Sequence, residues 1–234
     1  MSSIMTNVAA MTALKTLQQT NKALETTQSR ISTGYKVNDA ADNAAYWSIA
    51  TTMRSDNKAL STVQDALGLG SAKVDVAYTG MNAAIKVVDE IKTKLVAARE
   101  PGVDRSKVQE EITQLQNQLV SITTAAAFSG ENWLSVDSGD AAYSATKSIV
   151  ASFNRSSAGT VSVSTVDIDI SSTELFDAAD QSGILDTTFT TTGAGAATVS
   201  VSDLDITAAG IDNTDIDDMI SNVDGALASM STAA

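Results

Sequence analysis

Apolar residues recur at every seventh position over a long stretch: Tyr46, Met53, Leu60, Leu67, Val74, Met81, Val88 and Leu95. A second line, offset by three, runs Ile49, Asp56, Val63, Gly70, Ala77, Ala84, Ile91 and Ala98. Side chains seven apart sit on nearly the same face of a helix, drifting by roughly 20° per heptad. A stripe this long asks for partner helices alongside it, as in a coiled coil. It forms no pocket. Burying one face on a single neighbour returns less than the ordering of some fifty residues costs. The pattern therefore predicts packing within a bundle and against further chains, copies of itself first of all.

Composition narrows the chemistry. Among 234 residues there is no Cys and no His, one Pro, and 4% aromatic residues. Disulfides, thiolate metal sites and thiol nucleophiles are excluded, and the commonest general base is missing. Few Cys also suit a chain that crosses a membrane unfolded. The net charge of −13 is unevenly spread. Residues 1–130 carry 13 Lys and Arg against 12 Asp and Glu, whereas residues 131–234 carry 2 against 16. A charge-balanced part associates with like parts without self-repulsion, and a strongly acidic part belongs in water. No basic patch suits nucleic acid. No run of 18 apolar residues suits a membrane span. The first residues, Met1-Ser2-Ser3-Ile4-Met5-Thr6-Asn7, lack the basic and apolar regions of a secretory signal. The chain is either cytoplasmic or exported by a route that reads another signal.

The first helix is expected over about 4–33, with a thin apolar stripe of Ile4, Val8, Met11, Leu14, Leu17, Leu24 and Ile31 and a polar middle at Gln18, Gln19 and Asn21. Gly34 stands where a glycine would end it. Residues 35–42 form a linker, with Asn38 or Asp39 as cap of the next helix. That helix is expected over about 43–99, ended by Pro101-Gly102, with Gly68, Gly70 and Gly80 marking close contacts or slight kinks. A third helix follows Asp104 or Ser106, with Ser106 and Gln109 as a capping box and the stripe Val108, Ile112, Leu115, Leu119, Ile122, Ala126. The short break predicts that the second and third helices are antiparallel neighbours.

From Phe128 on, alternation replaces helical spacing. Val161 and Val163 alternate on one parity and Val166, Ile168 and Ile170 on the other, which predicts a bulge or bend near Ser164-Thr165. The octapeptide 161–168 returns as 199–206 with six identities, read as two strands of one small sheet joined by a flexible 187–197. A last helix carries Ile216, Ile220, Val223, Leu227 and Met230, with Thr214 and Asp217 as its capping box. Its pattern is unfinished at Ala234, so either a C-terminal part is missing or a helix end stays open.

Other features read as structural. Asp167, Asp169, Asp215, Asp217 and Asp218 lack the spacing of a calcium loop and are read as outward strand residues and helix-start acids. Trp47 and Trp133 fill core or interface. The glycines at 68 and 70 follow no strand, and no serine sits in a nucleophile elbow, so nucleotide binding and acyl transfer are rejected. No catalytic, cofactor or metal residue is proposed.

The stretch Arg30-Ile31-Ser32-Thr33-Gly34, followed by Asn38, Ala40, Asp42, Ala44, Ala45, Ile49 and Ala50, resembles the N-terminal signature of bacterial flagellins. The similarity continues through the heptads, Glu110-Glu111-Ile112 and Phe128–Leu134, covers about 1–135, and is strongest to flagellins of alphaproteobacteria such as rhizobia. The resemblance implies a structural subunit, not an enzyme, that polymerises into the motility filament. It implies terminal helices paired as an inner tube, spoke helices around it and a variable outer part. It also implies type III export of the unfolded chain, an export chaperone, a filament cap, and an extracellular, flagellar location. Two segments read by innate immune receptors in that family fall on 90–95 and 29–50. The first lacks both arginines and the glutamate, and the second departs at Tyr35, Asp39, Ala41, Asn43, Tyr46 and Trp47, so the resemblance does not carry immune recognition to this chain.

The expected fold is mainly α with a β-rich insert. It is an elongated, coiled-coil-like rod carrying a small acidic outer β domain. Its parts would be a tube helix (1–36), a helical spoke (37–135), the outer domain (136–212) and the start of a C-terminal spoke helix (213–234). Candidate polymerisation contacts are Ile4, Val8, Met11, Leu17, Leu24, Ile31, Met53, Leu60, Leu67, Val74, Met81, Val88 and Leu95. A hook–filament junction protein and a secreted adhesin using 161–206 stand as alternatives.

Overall fold

A computed structural model describes residues 7–234; Ile4 and the expected first turn before Asn7 lie outside them. The elements are α1 (Val8–Thr33), α2 (Ala44–Ala98), α3 (Arg105–Ala125), the short strands β1 (Ala127–Phe128), β2 (Glu131–Asn132) and β3 (Ser135–Val136), the long strands β4 (Thr146–Arg155) and β5 (Val161–Asp169), β6 (Phe176–Asp177), β7 (Phe189–Thr190), β8 (Thr198–Val199), a 3-10 turn (Val201–Asp203) and α4 (Asn213–Ala233). The chain is thus mainly helical with a strand-bearing insert. It divides into two compact units, one ending at Thr62 and one spanning Val63–Ala234, with the division inside α2.

In the first unit, Asn7 caps α1 by accepting from the Ala10 N–H at 3.1 Å. Gly34 closes it, at φ 72°, with its N–H on the Arg30 carbonyl at 2.9 Å. The cap of α2 is Asn43, whose side chain accepts from the Tyr46 N–H at 3.2 Å. It is neither Asn38 nor Asp39, because the Asn38 N–H is turned onto the Asp42 carboxylate at 3.2 Å.

In the second unit, α2 and α3 are antiparallel. Lys94 pairs with Glu111 at 2.5 Å near the turn, and at the far end Gly80 lies against Ala126. Helix α4 also runs antiparallel to α2, since Arg99 meets Asp217 at 2.7 Å and Lys92 meets Asp224 at 2.5 Å. The core between them holds Met81, Ala84, Val88, Ile91 and Leu95 of α2, Ile112 and Leu119 of α3, and Ile216, Met219, Val223 and Met230 of α4. Two expected glycine contacts are present. A methyl at Gly70 would lie 2.5 Å from Ile149, and one at Gly80 would lie 2.7 Å from Leu134. Gly68 meets nothing within 4 Å.

Of the two expected capping boxes, that on α3 does not form and that on α4 is displaced. Asp104, not Ser106, caps α3 by accepting from the Ser106 N–H. Gln109 instead reaches out to the Leu204 carbonyl at 2.8 Å and the Ile206 N–H at 2.9 Å. The box on α4 is Asp212 with Asp215, two residues earlier than Thr214 with Asp217.

The strands form four separate two-stranded pairs among the described residues. Strand β5 runs unbroken through 164–165. The extra residue, Ala151, lies opposite on β4, between the pairs Val150–Thr165 and Ser152–Ser164. Because β5 keeps its alternation, Val161 and Val163 face away from Val166 and Ile168. The two copies of the repeated octapeptide do not share a sheet. Residues 161–168 lie in a β hairpin with mostly exposed side chains, whereas in 199–206 a strand end gives way to a 3-10 turn and Val199, Val201, Leu204 and Ile206 are buried. Burial, not local sequence, sets the backbone of the second copy.

Candidate assembly surfaces

Helix α1 has 26 residues and buries none of them. Val8 is 70% exposed and Ile31 77% exposed, with Met11, Leu14, Leu17 and Leu24 between them also exposed. Its polar residues are ready to be covered. The hydroxyls of Thr12, Thr16, Thr20, Thr26, Thr27 and Thr33 each donate to the backbone carbonyl four residues back, at 2.8–2.9 Å. A neighbour can therefore lie on this helix without leaving those hydroxyls unpaired. The polar middle read from Gln18, Gln19 and Asn21 missed this; only Thr12, Thr16 and Thr20 recur at a spacing of four.

The signature residues build an elbow at the end of α1. Arg30 reaches Asp42 at 3.7 Å, Asp42 holds the Asn38 N–H, and Gly34 provides the left-handed turn. Arg54 covers the linker from α2, with its guanidinium 4.2 Å from the Tyr35 ring centre and a hydrogen bond to the Val37 carbonyl at 3.2 Å. Sequence reading did not find Arg54, which has no periodic or motif signal. Ile31 and Ser32 lie in the last turn of α1, Ala44 and Ala45 open α2, Ala40 lies in the linker turn, and Ile49 is exposed.

The heptad line of α2 changes role along its length. In the first unit Met53 and Leu60 are exposed; in the second unit Leu67 and Val74 are exposed too. Met81, Val88 and Leu95 instead lie in the chain's own core, exposed by no more than 1%. They face α3 and α4, so their contacts are intramolecular.

One acid departs from its sequence reading. Asp215 is a buried residue of α4, not an outward helix-start acid. It accepts from the Asp212 and Gly195 N–H groups at 2.9 and 3.0 Å and from the Thr191 hydroxyl. The Asp212 N–H first, then the Thr191 hydroxyl, hold its carboxyl at about 2. Asp218 beside it accepts from the N–H and hydroxyl of Thr192, which lower it as well. These two carboxylates clamp the loop between β7 and β8, so 187–197 is tethered rather than free. Among the described residues no group of three or more Asp, Glu, His or Cys is placed to hold a metal, and no helix is long and apolar enough to cross a membrane.

Among the described residues, α1 and the first half of α2 carry apolar side chains that nothing covers. Residues 4–138 match the bacterial flagellin N-terminal helical region. The chain is 54% identical over 187 residues to Flagellin A of Rhizobium meliloti (strain 1021), covering 80% of this chain and 47% of that protein. Flagellin C of the same strain is 54% identical over 180 residues, covering 77% and 56%. A flagellin of Brucella melitensis is 43% identical over 157 residues, covering 67% and 54%. The chain belongs to the bacterial flagellin family. It spans about half the length of the curated relatives it matches.

Proposed function

We propose that this chain is a structural subunit of a bacterial flagellar filament and assembles with copies of itself, and with other flagellins where they are present. The observation that carries this is α1: a 26-residue helix with no buried residue and a line of exposed large apolar side chains. Nothing among the described residues covers this helix, and in proteins most helical stability comes from packing an apolar face. Assembly supplies that packing through Val8, Met11, Leu17, Leu24 and Ile31 on α1 and through Met53, Leu60, Leu67 and Val74 on α2; Ile4, of the same spacing in the sequence, lies outside the described residues. Residues 1–36 act as a tube helix, 37–135 and 213–234 as spoke, and the acidic 136–212 as the part facing water. The subunit acts outside the cell without catalysis, after export through the flagellar type III route with a chaperone and a filament cap. Family membership and the absence of Cys support this route.

The test is Leu24→Asp in the full natural polypeptide. Far-ultraviolet circular dichroism and limited proteolysis report the fold, and electron microscopy reports assembly. The expected result is a folded second unit and no filaments. Normal filaments from the variant would refute the proposal.

A further inference from the structure

Three acids of the segment 174–186 are buried, in a region whose other acids are mostly in water: Glu174, Asp177 and Asp186. Two of them are supplied with donors. Asp177 accepts from the Ser138 N–H at 2.9 Å, the Ala179 N–H at 3.0 Å and the Ser182 hydroxyl at 3.1 Å. Burial works to raise it, but these bonds prevail and hold it well below the usual carboxylate range. Glu174 accepts from the Tyr143 hydroxyl at 2.5 Å, a bond that pushes the phenol up to about 12.

Asp186 differs. Its Oδ2 accepts from the Asp177 N–H at 2.8 Å, but its Oδ1 is buried without a hydrogen-bond partner. The residue is 8% exposed. A charged oxygen left in this position is strongly disfavoured. The backbone N–H groups of Asp177, Asp186 and Gly183 act to lower its carboxyl, but burial outweighs them. Asp177 is the charged group acting on Asp186, and Asp177, Asp169 and Asp180 act on Glu174 beside it. The residues of α4 lining the same hollow as Ser182, Ile184 and Thr187 are Ser221, Asn222, Gly225, Ala226 and Ser229, none of them charged. From the 3-10 turn, the Ser202 N–H donates to the Leu185 carbonyl. None of the ion pairs formed by Lys73, Lys92, Lys94 or Arg99 involves these acids. Space is short as well: a methyl at Gly183 would lie 2.5 Å from the Leu175 carbonyl oxygen and 2.7 Å from Asp186 Oδ1. The Leu175 carbonyl oxygen on that side already accepts from the Leu185 N–H at 2.9 Å.

We infer that Asp186 is a buried proton-binding site: folding of this segment takes up a proton that the unfolded chain releases. Burial first, then the charge of Asp177, act in that direction, raising its carboxyl above the ordinary value. The same burial raises Glu174. With a folded value above the unfolded one, the folded state binds more protons between the two values. Stability is then fully present below the unfolded value, about 3.9, and falls as the pH rises through the folded one. The inference rests on neither the assembly reading nor the family.

The test compares the unassembled full-length protein with its Asp186→Asn variant by thermal unfolding from about pH 4, the unfolded value, to pH 8. Asparagine keeps an oxygen for the Asp177 N–H and places N–H donors where Oδ1 stands. The variant is expected to melt higher than the wild type by about 2–4 °C at pH 8, and the gap should narrow as the pH falls toward about 4. A gap that does not vary with pH, or a variant less stable at pH 8, overturns the inference. So does a chelator that shifts the wild-type midpoint at pH 8, which would assign the oxygen to a cation. If the variant does not fold, infrared spectra of the wild type labelled with 13C-aspartate decide. A protonated aspartic carbonyl band in the folded protein at a pH where the unfolded chain shows none supports the inference, and carboxylate bands alone wherever the unfolded chain shows only them overturn it.

Discussion

The Arg54 guanidinium sits 4.2 Å from the centre of the Tyr35 ring and bonds the Val37 carbonyl at 3.2 Å. This one side chain of α2 thereby holds the linker that follows α1. A cation over an aromatic face contributes about 0.5–1 kcal/mol at an exposed site. Arg54→Ala should therefore loosen residues 35–42 without unfolding the helices. Trypsin cleavage after Lys36 should quicken several-fold, with helical circular dichroism unchanged; an unchanged cleavage rate contradicts the role assigned to Arg54.

Leu60 and Leu95 belong to the same heptad line, but their surroundings differ. Leu95 is fully buried and Leu60 is 45% exposed. Leu95→Ala should destabilise the unassembled protein by about 2–5 kcal/mol through lost burial and the cavity left. Leu60→Ala should change it by no more than about 0.5 kcal/mol while weakening assembly. Urea unfolding of both variants checks this, and similar losses from both would contradict it.

Two glycines of α2 predict opposite outcomes. Gly68 has open space where a side chain would go, so Gly68→Ala should stabilise the chain by about 0.5–1 kcal/mol. Gly80→Ala drives a methyl to 2.7 Å from Leu134 and 2.9 Å from Ala126, so overpacking of about 1–3 kcal/mol should outweigh the same helix gain. Melting temperatures should move in opposite directions.

Asp215 sets an acid limit opposite in sign to that of Asp186. Its folded value of about 2 lies below the unfolded one. Its contribution is thus present above about pH 4 and lost as the pH falls through about 2. Asp215→Asn should lower the urea midpoint at neutral pH and release the loop between β7 and β8. The gap to the wild type should close in acid. A gap that persists unchanged down to pH 2 contradicts the clamp.

The helical part was legible because its signals are periodic. The line through Met81, Val88 and Leu95, the α3 stripe through Ile112 and Leu119, the Gly34 stop and the Pro101-Gly102 break all stand in the structure. The caps were misplaced by a few residues because several side chains of equal local merit compete, and tertiary contacts decide among them. Gln109 serves Leu204 and Ile206, so Ser106 forms no box with it. The repeated octapeptide misled for the same reason, since two local sequences alike at six of eight positions meet water in one copy and core in the other. Arg54, the threonine hydroxyls on α1, and the buried acids Asp215 and Asp186 were not seen. Their roles depend on partners distant in sequence or on hydrogen bonds that a residue type does not announce.

The central claim is that the apolar face of α1 is covered by sibling copies. Hydrogen exchange of the full natural protein, measured on residues 8–33 in the unassembled chain and in the filament, tests it most directly. The account predicts fast exchange of these amides before assembly and strong protection after it, with 81–98 protected in both. Equal protection of 8–33 in the two states, or no filament at any concentration, would contradict it.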